Sequence, residues 1–192
     1  MRRYSPSPEL RDWIETVVDD NADDLLRYLR RRVRKPEDAA DLLGRVLLAL
    51  WETGEKVPTS DTDARMWCFA IARNVLREHH RHAAKHLALA DELRTHLRGS
   101  MTEQNSADLA AESNIRDARV RVAVMSLDTR TRELVMLVHW DGFTIAAAAR
   151  LLSMNESSAR TRYGRGLQRL ERELREPPHS DRVGHTVAPN PT

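Results

Sequence analysis

Apolar side chains recur at steps of three and four over long stretches of this chain, and little interrupts them. Leu42, Leu43, Val46, Leu47, Leu50 and Trp51 form an i, i+1, i+4, i+5 stripe, with Asp38, Asp41 and Arg45 lying off it. Leu25, Leu26, Leu29 and Val33 repeat at helical spacing upstream, and Trp67, Ile71 and Val75 follow at four-residue steps. Only 7 glycines and 8 prolines punctuate 192 residues, and the long segments are built from Ala, Leu, Arg and Glu, all strong helix formers. The pattern predicts an all-α fold.

Composition narrows that fold. Hydrophobic residues make up 41% of the chain, but aromatics only 5%, while charged residues reach 31%. Such a chain suits small helical units with wide polar surfaces better than one thick-cored domain.

The punctuation marks predict where the units lie. A first helix is expected over Glu9–Val33, with the acidic run Asp19–Asp24 as its one candidate break, and Pro36 suits the first turn of the next. Gly54 and Pro58 mark a loop through Thr59–Thr62, and a third helix starts near Asp63. Residues 91–114 carry no persistent apolar pattern and read as a flexible linker. From Ile115, Val120, Val124 and Leu127 give one helix face; Asp128 is placed to cap the next helix, which carries Leu134, Leu137 and Val138. Asp141-Gly142 ends that helix. A short helix over Thr144–Leu152, a tight turn at Ser153-Met154-Asn155 and a long helix to about Arg175 follow, the last with Ala159, Tyr163, Leu167, Leu170 and Leu174 inward. Two small helical domains result, 9–90 and 115–176, with a flexible leader (1–8) and a disordered tail (177–192).

Charge is distributed unevenly behind a net +2. Glu9–Asp63 holds 14 acidic against 9 basic residues, whereas Arg65–His86 holds 5 basic against 1 acidic, with four histidines besides. Arg150–Arg175 holds 7 Arg against 3 Glu. Two basic blocks suggest two contacts with a polyanion; solvated helix faces are the alternative.

The single cysteine, Cys68, sits in the apolar run Met66–Ile71 and reads as a buried thiol in a reducing compartment. Met1-Arg2-Arg3 leads into Tyr-Ser-Pro-Ser-Pro rather than an apolar run, and no stretch is long enough to span a bilayer. A soluble, cytoplasmic protein without membrane insertion is expected. His79, His80, His82 and His86 include i, i+3 and i, i+4 pairs that could hold a metal. With Glu78 their sole acidic companion, a polar surface turned to the polyanion is the better reading, and no metal or other cofactor is expected. No phosphate-binding glycine loop or nucleophile motif is present, which argues against an enzyme.

Thr144–Arg169 has the layout of a helix-turn-helix. Ile145, Ala148, Ala149 and Leu152 can pack against Ala159 and Tyr163, with the small alanines allowing close approach. Asn155 can cap the second helix, whose first turns present Glu156, Ser157, Ser158, Arg160, Thr161 and Arg162 to a major groove. Arg160 and Arg162 cannot share one face fully, so one would read bases and the other position the backbone. An ordinary helical hairpin is the competing reading.

The segment Leu127–Leu170, LDTRTRELVMLVHWDGFTIAAAARLLSMNESSARTRYGRGLQRL, resembles region 4 of extracytoplasmic-function sigma factors of the sigma-70 family. Arg132-Glu133, Gly142-Phe143-Thr144 and Ser158–Arg162 occupy the places of that family's motifs. Independently, DAADLLGRVLLALW (Asp38–Trp51) resembles region 2.2, and WCFAIARNVLREHHRH (Trp67–His82) resembles regions 2.3 and 2.4.

The resemblance implies a promoter-recognition subunit that binds core RNA polymerase, through the β′ clamp helices and the β flap, and opens promoter DNA. It places −35 contacts at Asn155, Ser157, Ser158, Arg160, Thr161, Arg162 and Arg165. It places −10 contacts at Thr59, Ser60, Asp61, Arg73, Asn74, Arg77, His80 and Arg81, with Asn74 the candidate for base-specific bonding. Polymerase contacts fall on Asp38, Asp41, Leu42, Arg45 and Leu47. Trp67 is a candidate stacking platform, but its spacing with Ile71 and Val75 favours the core. An anti-sigma factor is implied as a further partner.

Two departures stand out. Gly44-Arg45 replaces the family's usual Gln-Glu, and Ala147-Ala148-Ala149 its Glu-Ile-Ala. The linker of 24 residues spans at most about 80 Å extended, enough for elements about two duplex turns, roughly 70 Å, apart. A helix-turn-helix regulator that has lost polymerase binding is the alternative.

Overall fold

The computed structural model describes residues 7–96 and 114–175. Residues 1–6 of the expected leader, most of the expected linker and the expected tail lie outside the described residues, while Ser7 and Pro8, expected in the leader, cap and begin the first helix. Seven α-helices are described: α1 (Pro8–Arg30), α2 (Pro36–Glu52), α3 (Asp61–His96), α4 (Asn114–Ser126), α5 (Thr129–His139), α6 (Ile145–Leu151) and α7 (Glu156–Arg175). Among the described residues there is no strand.

Helix α1 starts where Ser7 Oγ accepts the Leu10 amide (3.3 Å) and Pro8 fills the first turn, where no N–H is required. It buries Ile14, Val17, Leu25, Tyr28 and Leu29 at three- and four-residue steps. The acidic run does not break it. Asn21, the polar residue in that stripe, donates Nδ2 to Val17 O (2.8 Å) and accepts from Arg65 Nη1 (3.1 Å), so its burial leaves neither end unpaired. Asp19, Asp20 and Asp23 point to solvent.

Helix α2 begins at Pro36 as expected and buries Ala39, Leu42, Val46 and Leu50. A single 3-10 turn (Gly54–Lys56) leads to α3, which starts at Asp61. Ser60 Oγ accepts the Asp63 amide (3.2 Å) and donates to Asp63 Oδ2 (3.0 Å), fixing that start. Trp13 Nε1 bonds Pro58 O (3.0 Å) and ties the loop to α1. Ala64, Cys68, Phe69, Ala72 and Leu76 form the buried stripe of α3, with Trp67 partly buried against the same core. α1, α2 and α3 pack mutually into a three-helix bundle. Helix α3 continues to His96, six residues into the stretch expected as linker.

In the second unit α7 packs against α4, α5 and α6. Asp128 caps α5 through Oδ1 to the Thr131 amide (3.1 Å), as its position predicts. After His139 the chain turns sharply: the Trp140 and Asp141 amides return to Met136 O, the Phe143 amide bonds Leu137 O, and Gly142 sits at φ +73°. Thr144 then caps α6 through Oγ1 to the Ala147 amide (3.1 Å). Ala148 and Ala149 are 0% and 1% exposed, which lets α6 lie close on α7 at Ala159. Gly166 makes a second close approach: a Cβ there would meet Thr131 Cγ2 at 2.6 Å. Leu174, expected inward, is 36% exposed, in a last turn that lies along α4 with Leu174 O accepting from Arg119 Nη2 (2.9 Å).

The two units do not stand apart. α3 packs on α6, and one apolar core runs from α1–α3 into Leu134, Leu137, Phe143 and α6. At its seam Phe69 meets Tyr28 and Phe143 edge-on, with ring centroids 5.3 and 4.8 Å apart. Fully burying each such ring stabilises by about 1.5–3 kcal/mol.

Candidate nucleic-acid and protein interfaces

The turn Ser153-Met154-Asn155 projects α7 from the second unit. Ser153 takes a left-handed φ of +52°, and Asn155 Oδ1 accepts the Ser157 amide (2.9 Å), capping α7 as its position predicts. Of the seven residues placed at the −35 contact, Asn155, Ser157, Ser158, Thr161, Arg162 and Arg165 line one open groove between α7 and the start of α5. Arg130 and Arg169 line it as well. The sequence reading missed both because they lie a turn or more outside the helix-turn-helix tip.

The two neighbouring arginines part company. Arg162 reaches into the groove, where Nη1 bonds Asp128 Oδ1 (3.0 Å) and Thr131 Oγ1 (3.2 Å). Arg160 turns away to pair with Glu156 one turn back, an exposed i, i+4 pair. Arg165 has no protein partner among the described residues and stays exposed. Asp128 serves both the α5 cap and Arg162. Its carboxyl is held below the usual range, first by the Thr131 hydroxyl and then, against a small desolvation, by the Thr131 amide and Arg162.

On α3, Asn74, Arg77 and Arg81 recur at three- and four-residue steps on an exposed face, and Arg73 is half-buried beside them. His80 is exposed but its Nε2 sits 3.2 Å from Arg32 O, so it is anchored to the end of α1. Thr59, Ser60 and Asp61 are exposed at the head of α3. Ser60 differs from expectation, because its hydroxyl is committed to capping that helix. His79 faces Asp38 (3.9 Å) and His82 faces Glu78 (3.6 Å), and no cluster of three metal-ligating groups forms among the described residues.

On α2 the stripe residue Leu42 lies in the core. Leu42, expected to touch polymerase, is 2% exposed, because it shares the i, i+4, i+8 stripe with Val46 and Leu50. Leu47 is partly buried against that core. The outward face instead presents Asp41, Gly44, Arg45 and Leu48, the last 59% exposed, with Trp51 at 38%. Leu48 was legible as the apolar residue that breaks the stripe. Arg45 faces Glu78 of α3 at 3.7 Å, and Asp38 is half-buried.

The seam between the units carries a buried ionic network that sequence reasoning missed. Arg32 Nε reaches both Glu133 carboxylate oxygens (2.9 and 3.0 Å), its Nη2 reaches Asp141 Oδ2 (2.8 Å), and its Nη1 bonds Tyr28 O (3.1 Å). The guanidinium lies 3.8 Å from the Tyr28 ring centroid. Arg31 Nη2 takes Asp141 Oδ1, and Arg65 Nη2 bonds Asp141 O (3.0 Å) while resting over Phe69 and Phe143. Burial alone would lower the Arg32 pKa, but the Glu133 and Asp141 carboxylates raise it, so the guanidinium stays charged. Burial pushes the Tyr28 hydroxyl up, with Glu133 adding to it, so Tyr28 stays protonated.

Comparison with known proteins places this geometry. Residues 17–86 match the family model described as Sigma-70 region 2, and residues 117–170 match Sigma-70, region 4. The chain is 26% identical over 162 residues to the ECF RNA polymerase sigma factor BldN of Streptomyces coelicolor, covering 82% of this chain and 59% of that protein. It is 22% identical over 167 residues to the ECF RNA polymerase sigma factor SigL of Mycobacterium tuberculosis, covering 85% and 89%. The chain thus spans less than two thirds of the length of BldN. Its fold is similar to that of the sigma factor RpoE from Bartonella quintana, solved with the anti-sigma factor NepR, at a TM-score of 0.65 and 19% identity over 83% of this chain and 95% of that one. Sigma-70 region 2 followed by region 4, in this order, defines a sigma-type protein. The chain belongs to the sigma-70 family, as a sigma factor of the extracytoplasmic-function type.

Proposed function

We propose that the chain is an alternative sigma factor that joins core RNA polymerase, reads −10 and −35 elements, and promotes duplex opening. The observation that carries this is the co-occurrence of both family regions, in order, with six of the seven α7 residues placed at the −35 contact gathered in one groove. The α7 groove takes the −35 major groove: its hydroxyls, Asn155 and arginines offer donors to base edges and phosphates. Arg73, Asn74, Arg77, His80 and Arg81 track the −10 strand, while the Thr59–Asp61 loop covers a base drawn out of the stack. Opening needs no covalent chemistry. Unpairing costs a few kcal/mol per base, which capture of the unstacked base and phosphate contacts offset. The role is therefore a binding one, not an enzymatic one, and is exercised in the cytoplasm.

Polymerase contacts fall to the outward face of α2, where Asp38, Asp41 and Arg45 supply charge and Leu48 replaces Leu42 as the apolar contact for the β′ clamp helices. The second unit meets the β flap. An anti-sigma factor joins this partner set, on the likeness to RpoE. Co-purification with core enzyme tests the reading. Retention on core, with duplex promoter DNA bound tightly only in that complex, supports it; tight promoter binding by the chain alone without retention on core overturns it in favour of a regulator that has lost polymerase.

A further inference from the structure

Among the described residues, Arg162 is the one arginine of α7 whose side chain hydrogen-bonds another element. Arg160, Arg169 and Arg175 pair with Glu156, Glu173 and Glu171, each one turn away on α7 itself. Arg162 Nη1 instead donates to Asp128 Oδ1 (3.0 Å) and Thr131 Oγ1 (3.2 Å) at the head of α5. Neither acceptor is free to wander. Thr131 is 5% exposed, and its hydroxyl and amide both donate to the Asp128 carboxylate (2.5 and 3.1 Å). Gly166, one turn beyond Arg162, has no side chain to hold α7 off Thr131. A carboxylate, a hydroxyl and a close helix contact thus fix one nitrogen of Arg162 in the groove.

The rest of the guanidinium is uncommitted. Among the described residues Nε and Nη2 of Arg162 bond no protein group, and the side chain is 40% exposed. Those two nitrogens form one edge of the guanidinium, a fork that meets two acceptors side by side. In a major groove that pair of acceptors is guanine O6 and N7. A phosphate accepts the same fork, but without regard to sequence. Asp128 weighs on that choice in two ways. Its negative charge beside Arg162 offsets the pull of the cation on phosphates, and its hydrogen bond orders the side chain beforehand. An arginine already ordered loses less rotamer freedom on contact than one swinging in from solvent.

We propose that Asp128 is a specificity-determining positioning residue: by its grip on Arg162 it turns a general phosphate-seeking cation into the reader of one guanine in the −35 element. The inference rests on the sigma reading above and deepens it. It assigns a base to Arg162, and it makes recognition of that base depend on an acidic residue that lies outside the helix-turn-helix.

Transcription by core enzyme with the full chain, on one promoter carrying every single-base change of its −35 element, tests this. The variants are Asp128→Asn, which keeps an N-capping side chain, Arg162→Ala, and the two combined. Melting curves check the fold, and Asp128→Ser, a second capping choice, stands in if Asp128→Asn melts low. The wild type should prefer guanine at one position by about fivefold or more. Each single variant should cut that preference to about twofold or less at the same position, with the double variant no worse than either. Binding of the same holoenzyme to a duplex without promoter elements should separate the two, tighter for Asp128→Asn and weaker for Arg162→Ala. An Asp128→Asn loss spread evenly over all −35 changes makes Asp128 a cap only and overturns the role. So does an unchanged preference, or relaxation at a position that Arg162→Ala leaves untouched. If the wild-type holoenzyme starts at no promoter, the sigma reading fails, and the chain's own selection from a pool of random duplexes decides the role of Asp128 by the same criteria.

Discussion

Gly166 of α7 and Thr131 of α5 stand so close that a Cβ on the glycine would lie 2.6 Å from Thr131 Cγ2. Thr131 cannot step aside, because its hydroxyl donates to Asp128 Oδ2 (2.5 Å) and its amide to Asp128 Oδ1. Gly166→Ala should therefore destabilise by about 1–3 kcal/mol from overpacking, less the ~1 kcal/mol of helix propensity gained. Gly164, two residues earlier on the same helix, has no neighbour within 4 Å of the place its Cβ would take, so Gly164→Ala should stabilise by about 0.5–1 kcal/mol. Thermal melts of the pair check the contrast, and equal shifts of the same sign would sink it.

The arginines of α7 should differ in weight. Arg165→Ala removes an unpaired cation from the groove and should lower use of a promoter with its −35 element by about 5- to 150-fold, the 1–3 kcal/mol of a base contact. Arg160→Ala removes a cation already paired with Glu156 outside the groove and should cost less than about threefold. Single-round transcription on one promoter compares them directly.

Leu42 and Leu48 should separate folding from partner binding. Leu42→Ala leaves a cavity in the first bundle and should cost about 2–5 kcal/mol in chemical denaturation. Leu48→Ala should leave the melting temperature within about 1 °C and weaken retention on core polymerase. A destabilised Leu48→Ala protein with full polymerase affinity contradicts the assignment of that face.

Cys68 should be inert in the folded protein. Burial pushes its thiol up to about 12, against a smaller opposing pull from Arg65. Alkylation with iodoacetamide at pH 8 should proceed only after denaturant is added. Rapid labelling of the native chain is the contrary result.

Asp128 makes the second unit acid-sensitive. Its folded pKa is depressed, so its capping contribution is fully present above the ordinary aspartate value near ~3.9 and is lost as pH falls through the lower folded value. Asp128→Ala should cost about 1 kcal/mol at neutral pH, and the difference between wild type and variant should shrink below about pH 4. Melts across pH 3–7 read this out.

Much of this structure was legible in the sequence because its signals are local. The stripe of α2, the Asp128 and Asn155 caps, the buried Cys68 and the helix-turn-helix tip all follow from residues within a few positions of one another, whereas the buried stripe of α3 (Ala64, Cys68, Phe69, Ala72, Leu76) lies beside the expected Trp67, Ile71 and Val75, which are only partly buried. Leu42 misled because the family resemblance names a helix, while the face it uses depends on where the buried stripe falls. The second role of Ser60 was not read: its hydroxyl accepts the Asp63 amide and caps the next helix. Asp141 read only as a helix breaker. Its partners Arg31 and Arg32 lie about a hundred residues upstream, and a pair that distant leaves no periodic trace; the basic run Arg30–Lys35 was the available hint.

The central claim is that this chain directs polymerase to promoters, and promoter-dependent transcription by purified core enzyme on a genomic fragment library, with and without the protein, tests it most directly. The account predicts discrete new start sites whose upstream sequences share two elements about two duplex turns apart, roughly 70 Å. Core enzyme that gains no new start site from the protein would contradict it.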